Sequence, residues 1–392
     1  MSNTILTPTA VTREAMRILH QNLVFAKNVN RQYDDSFAQS GGKIGDSLKI
    51  RLPNEYTVRT GKTIQAQDTS ETSVTLQVAT QKGVDVNFSS KELTLDLDDF
   101  SERILKPAMS RLAAEIDSDG LLEVANVYNL VGTAGTTPAT ALVALQAGQK
   151  LDEYLAPRDG NRKIIVNPAA NAAMIDGLKG LFHSGDKLED QYERGLMGKD
   201  VLGFDWYTSS HVDSITTGSD HTTVTVNDGS IASGDTTMTT AGGNVTVGTV
   251  FTIAAVYAVH PETKQAYSHL KQFTITAVNG NDWTFSPAWI STGARQNVDA
   301  LPVTAAAITL VGTASTSYPY NLAYHRDAFV LATADLEDVS KYGAWGSRQS
   351  FDGVSMRIAR QYDINNDSVP CRIDVLYGWK TVRPELACRI IG

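Results

Sequence analysis

Apolar residues change their spacing several times along the chain, and each change marks a different element. Near the start Ala15, Met16, Leu19, Leu23 and Val24 fall at helical spacing, with Thr12 placed to cap a short helix. Gly41, Gly42 and Gly45 then break the chain. From Leu48 to Phe88 the period drops to two. LKIRL (48–52) and VTLQV (74–78) alternate apolar and polar positions and predict half-exposed strands. Between them RTGKTIQAQDTSETS is polar and offers no core residue. The pair therefore reads as a long hairpin arm that becomes ordered by packing on something else.

Helical spacing returns over 97–128, where Phe100, Ile104, Ala108, Leu112 and Ile116 recur every four residues and Leu105 and Met109 reinforce the same face. Asp98 and Asp99 suit the positive end of the helix dipole, and Pro107 either kinks this helix or marks its first turn. After the small-residue linker GTAGTTPAT (132–140), a second helix through Leu142, Leu145 and Leu151 should end near Pro157 and Gly160. KIIV (163–166) is a short buried strand. Asn167 follows as an N-cap, Pro168 takes the first helical position, and Gly180 closes a helix that runs to about Lys179.

Residues 214–312 break this α/β pattern. They carry nine charged residues in 99, about half the chain-wide share, and their β-rich runs TTVTVN, NVTVGTVFTIAAV and FTITAV are separated by the turn signals Asn227-Asp228-Gly229 and Asn279-Gly280. Longer strands return in AFVLAT (328–333), VSMRIARQYDI (354–364) and CRIDVLYGWKTV (371–382). An all-β domain at 214–312 thus interrupts a host whose halves are 161–213 and 313–392.

Composition narrows the function classes. With 42% hydrophobic and 20% charged residues the chain has the make-up of a globular protein, which excludes global disorder. A net charge of -9 argues against nucleic-acid binding over a broad basic surface. Cys371 and Cys388 cannot form a disulfide framework. No apolar run is long enough to predict a membrane span, and the first residues lack the basic start and apolar core of a secretory signal.

Motifs for chemistry are incomplete. Gly61-Lys62-Thr63 resembles the end of a phosphate loop, but Tyr56 stands where that motif needs Gly, so Lys62 reads as a loop lysine. Asp117-Ser118-Asp119-Gly120 resembles part of a calcium loop, but Tyr128 occupies the position of its final Glu. Those carboxylates read as solvated helix residues, and Asp96, Asp98 and Asp99 as a helix start rather than a metal cluster. His20, His183, His211, His221, His260, His269 and His325 show no i, i+4 pair for zinc, and no G-x-S-x-G elbow occurs. Trp345, Trp379, Tyr362 and Tyr377 could line a sugar site, although strand aromatics are more often core or subunit contacts. No catalytic, cofactor-binding or metal-ligating residue is assigned, and no cofactor is expected. A carbohydrate-active enzyme would need paired carboxylates, which no spacing suggests. A β-rich tail or surface binding protein is the alternative, with 214–312 as its recognition module.

The C-terminal segments NLAYHRDAFVLAT (321–333) and SMRIARQYDINNDSVPCRIDVLYGWKTVRPELACRI (355–390) resemble the ending of tailed-bacteriophage major capsid proteins. KIIVNPAANAAMIDGL (163–178), GKDVLGFDWYTSSHV (198–212) and VTLQVATQKGVDVNFSSKEL (74–93) resemble the same family in order, and the closest likeness is to the short-tailed Salmonella phage branch with an inserted β-domain. The resemblance implies an α+β fold of the Hong Kong ninety-seven type. Its expected parts are an N-terminal arm (1–47), an extended hairpin loop (48–88), a peripheral domain with a spine helix (89–160), an axial domain (161–213 and 313–392) and the insert (214–312), expected to fold alone on the exterior. It further implies a coat protein that assembles with itself into hexamers and pentamers of an icosahedral shell around a double-stranded DNA genome. Scaffolding and portal proteins are the implied partners. DNA would be held only by weak non-specific contact, and no membrane is involved. The chain would be made in the host cytoplasm and reside in the virion. Arg59 and Lys62, in the polar hairpin tip, are the expected contacts with acidic groups on a neighbouring subunit.

Overall fold

The structure, a computed structural model, describes residues 8–31, 47–69, 71–89, 101–178, 197–221, 224–343, 345–351, 353–364 and 368–392. Gly41, Gly42, Gly45, Asp96, Asp98, Asp99, Phe100, Gly180 and His183 lie outside the described residues. The chain forms two compact units. One comprises Met1–Arg51, Ser73–Gly120 and Phe329–Lys380, and the other Leu52–Thr72, Leu121–Ala328 and Thr381–Gly392.

In the first unit, helix α1 spans Pro8–Asn22 and buries Val11, Ala15, Met16, Ile18 and Leu19. It begins one turn before the expected Thr12 cap. Proline suits a first helical turn, where its missing N–H is no loss, and Thr12 instead lies fully buried inside the helix. Strands β1 (Ser47–Arg51) and β2 (Ser73–Gln77) pair antiparallel, with Ile50 opposite Val74. The next alternating run, β3 (Thr80–Ser89), does not extend that hairpin but pairs with β18 (Ser368–Thr381). Period-2 patterning marks a half-buried strand without naming its partner. Hence β1 and β2 could be read from sequence and the end of the arm could not. β18 sits in a sheet ordered β15 (Phe329–Ala334), β18, β17 (Val354–Arg360), β16 (Trp345–Phe351). Of residues 313–392, Phe329–Lys380 belong to this unit and Thr381–Gly392 to the other.

A π-helical turn at Ser101–Leu105 leads into helix α2 (Lys106–Leu122), which has Pro107 in its first turn and buries Met109, Leu112 and Ile116. Asp117 is not solvated, and Asp119 is only partly so. Asp117 is buried and accepts hydrogen bonds from the backbone N–H groups of Val24 (2.6 Å), Phe25 (3.1 Å) and Ala26 (2.9 Å). Asp119 accepts from Tyr377 Oη at 2.5 Å and from Lys82 Nζ at 2.8 Å. The turn after α1 needs acceptors for its free amides, and a carboxylate from α2 supplies them.

In the second unit a six-stranded sheet contains, in order, β4 (Leu130–Gly132), β19 (Ala387–Ile391), β14 (Ser317–His325), β5 (Arg162–Val166) and β6 (Asp205–Thr208), with β7 (Ser214–Thr216) paired to β14. Helix α3 (Ala141–Glu153) buries Ala144, Ala147 and Leu151, whereas Leu142 and Leu145, expected on its core face, are exposed. Asn167 caps helix α4 (Pro168–Leu178) as expected, its Oδ1 accepting from Ala170 N at 2.7 Å.

Within 214–312 six strands close into a barrel. They are β8 (Val224–Val226), β9 (Thr237–Ala241), β10 (Val250–Val259), β11 (Ala266–Asn279), β12 (Asp282–Ser286) and β13 (Ala307–Leu310). Closure removes free sheet edges, and the interior is filled by Phe251, Phe273, Trp283, Phe285 and Trp289 among others. Gly280 makes the β11–β12 turn with φ +62°, the left-handed conformation that Asn-Gly signals. The ends of the insert lie side by side, for Thr216 pairs with Ser317 and Thr217 N donates to Thr316 O at 2.9 Å.

Candidate assembly surfaces

The loop Leu52–Thr72 joins β1 to β2 and is tied at two levels. Leu52 N donates to Thr72 O at 2.8 Å, and Arg295 of the barrel donates to Thr72 Oγ1 at 3.1 Å. Farther out, Thr57 N donates to Gln67 Oε1 (2.8 Å) and Gln67 Nε2 to Thr57 O (2.6 Å). Residues 58–66 form an exposed tip beyond this rung. Arg59 donates to the carbonyl of Gly61, whose φ of +98° favours glycine. Lys62 makes no ion pair among the described residues.

The tip is less polar than its sequence suggested. Val58 is 96% exposed and Ile64 82%, and Tyr56, just short of the rung, 59%. Burying one such side chain is worth roughly 1.5–3 kcal/mol, so a tip left in water forgoes a substantial gain. Sequence reasoning passed over them because they have no periodic partner. That absence of a partner was itself the available signal.

A cleft of about 810 Å³ lies between α3 and the 200–204 turn, lined by Leu145, Asp152, Arg158, Arg162, Leu202 and Phe204 among others. Most of its charges are paired. Asp152 accepts from Arg158 and from Arg162 Nη2 (2.8 Å), and these bonds hold its carboxyl below the usual value although burial opposes them. Glu153 is bonded to Lys150 Nζ at 3.0 Å. Asp200 also lines the cleft.

The aromatic residues proposed for a sugar site are dispersed. Trp345 lies under the Arg360 guanidinium at 3.8 Å, Trp379 stacks on Phe25 at 5.1 Å, and the Tyr377 hydroxyl is bound to Asp119. Tyr362 alone is exposed, at 53%. Both cysteines are buried, which pushes the thiol of Cys371 up to about 11 and that of Cys388 up to about 12, away from reactivity. Among the described residues no group of three or more His, Cys, Asp or Glu side chains could hold a metal ion, and no helix is long and apolar enough to cross a membrane.

A family model described as P22 coat protein, gene protein 5, matches residues 2–392. No curated protein matches the chain. Similar solved structures include Mycobacterium phage Che8, 15% identical over 94% of this chain and 90% of that one, with a TM-score of 0.47. The satellite phage P4 procapsid including size determination protein is 9% identical over 97% of this chain and 90% of that one, with a TM-score of 0.41. The CUS-3 coat protein I-domain is 29% identical over 24% of this chain and all (100%) of its own, with a TM-score of 0.21.

Proposed function

The chain belongs to the P22 coat protein family and is a bacteriophage major capsid protein, the subunit of the virion shell, and from that premise we propose that the loop Leu52–Thr72 is an arm by which each subunit grips the next. The family match over residues 2–392 carries the shell function. The loop assignment rests on its exposed tip, where Val58 and Ile64 have no intramolecular cover and Arg59 and Lys62 supply charge. Contacts of this heterologous kind close into rings, and many weak ones together make a stable shell.

The remaining parts follow the Hong Kong ninety-seven plan. Residues 1–47 serve as the N-terminal arm, α2 as the spine, the β14-centred sheet as the axial domain and the barrel as an exterior insert. The protein works without catalysis, a reading supported by the pairing of Asp152 and Glu153 with cations at its cleft. Scaffolding and portal proteins are its further partners. Packaged DNA is touched only weakly, since a chain of net charge -9 offers few phosphate contacts. Synthesis takes place in the host cytoplasm.

Replacing Arg59 and Lys62 together with Glu tests the arm. Particle yield by light scattering should fall while the far-UV circular dichroism of the subunit stays unchanged. An unchanged yield overturns the contact role. A wild-type chain that stays monomeric under every assembly condition, with or without scaffold, overturns the shell reading itself.

A further inference from the structure

The barrel is fastened to its host along β11. Gln272 bonds Leu130 twice, its Nε2 donating to Leu130 O and its Oε1 accepting from Leu130 N, both at 2.9 Å. Thr274 Oγ1 donates to Ala125 O at 2.8 Å, and Tyr267 Oη donates to Glu153 O at 3.3 Å. Two fully buried cations complete this seam, and they are satisfied to different degrees.

Arg389 of β19 donates Nε to Val127 O (2.5 Å), Nη1 to Gly248 O (2.5 Å), and Nη2 to Ala125 O (2.9 Å) and Thr274 Oγ1 (2.6 Å). It grips host and barrel at once, and although burial brings its pKa down to about 10 it stays charged near neutrality. Lys271 has less. Its Nζ donates to the Tyr154 hydroxyl at 2.7 Å and lies 4.6 Å from the ring centroids of both Tyr128 and Tyr154. No carboxylate pairs with it among the described residues. An ammonium has three N–H donors, so protonation leaves it short of partners in a dry site.

We propose that this seam is a proton-sensitive latch, holding the barrel firmly to its host while Lys271 and His269 are neutral and loosening as they take up protons, with barrel and host each staying folded.

The charges around Lys271 give the direction. From α3 it faces Lys150, and Glu385 acts on it from beyond the seam. Glu153 is shared between Lys150 and His269, whose Nε2 stands 3.4 Å away, and Arg383 acts on Tyr128. Arg389, charged in the same seam, adds a further cation. Tyr128, Tyr154 and Tyr267 are raised by burial and stay neutral. Burial first, and then Lys150, lowers Lys271 from 10.5 to about 7, with Glu385 opposing. Opening the seam returns the amine to water and to its ordinary value. Between about 7 and 10.5 the open state therefore binds a proton that the closed state lacks. The closed seam gains stability as pH rises through that window and loses it as pH falls, by about tenfold in the opening constant per pH unit. His269 is lowered from 6.5 by burial, then by Lys150, with Glu153 opposing, and adds a second window of the same sign below 6.5.

The test is amide hydrogen exchange of the full-length unassembled subunit from about pH 7 to about pH 9, corrected for intrinsic rates. Protection of 125–130 and 270–274 should rise about tenfold per unit, while that of the barrel interior around Trp283 and Phe285 stays level. In Lys271→Met the seam should lose this dependence. Tyr154→Phe keeps the ring but removes the hydroxyl that accepts from Lys271, so it should shift the onset to lower pH. This second variant carries the test if the first does not fold. A wild-type seam whose protection is flat with pH, or variants that retain the wild-type profile, overturn the latch.

Discussion

Asp117 holds the turn after α1 to the middle of α2, and removing its carboxylate should unfasten that turn. The side chain is 2% exposed and accepts from Val24 N, Phe25 N and Ala26 N at 2.6, 3.1 and 2.9 Å. Asp117→Ala leaves those amides without their acceptor in the protein interior. A hydrogen bond to a charged group contributes roughly 1.5–3 kcal/mol, and a buried donor left unpaired costs roughly 1–3 kcal/mol. The three bonds share one carboxylate, two on Oδ2 and one on Oδ1, so their losses do not add. Relief of the carboxylate's own burial offsets part of the loss, which leaves roughly 3–5 kcal/mol. Asp117→Asn keeps one acceptor oxygen and should lose about half of that. Urea unfolding followed by tryptophan fluorescence suits the measurement, because Trp379 stacks on Phe25 within the same unit. The transition of this unit should move to lower urea with an unchanged slope. A loss below about 1 kcal/mol for Asp117→Ala, or an Asn variant as damaging as the Ala variant, would refute the capping role.

Two further expectations concern packing. At Gly120 an added Cβ would lie 2.5 Å from Trp379 Cζ2 and 2.8 Å from Phe25 Cδ1. Gly120→Ala should therefore destabilise by roughly 1–3 kcal/mol despite the better helix propensity of alanine, and a thermal melt no lower than wild type would contradict this. The fragment 214–312, with its closed barrel and adjacent ends, should fold alone with dispersed amide resonances and a cooperative melt. A disordered spectrum would show that the host supports it.

What was legible in the sequence was mostly local. The Asn167 cap works over three residues, and the Asn279-Gly280 turn joins strands that are neighbours in the chain. The barrel announced itself through composition and short alternating runs. What stayed hidden was settled by partners far away in sequence. Asp117 meets Val24 across 93 positions, and the side chain looks like any helix-surface carboxylate until those amides are in place. Leu142 and Leu145 fit the apolar period of α3, yet the face that is covered uses Ala144 and Ala147 instead. Period tells which residues are apolar, and packing alone decides which of them find cover.

In the loop Leu52–Thr72 the charged and the apolar residues were unequally legible for a related reason. Arg59 and Lys62 stood out because charge in a polar loop is conspicuous, whereas Val58 and Ile64 looked like stray apolar residues. Magnitudes reverse that emphasis. An exposed ion pair contributes about 0–1 kcal/mol and weakens with salt. Covering Val58 or Ile64, at 96% and 82% exposure, is worth roughly 1.5–3 kcal/mol for each. A contact made by this tip would draw most of its holding energy from the two apolar side chains, while the charges set approach and orientation. Isolated apolar side chains without periodicity form no constellation, so the sequence alone does not single out Val58 or Ile64.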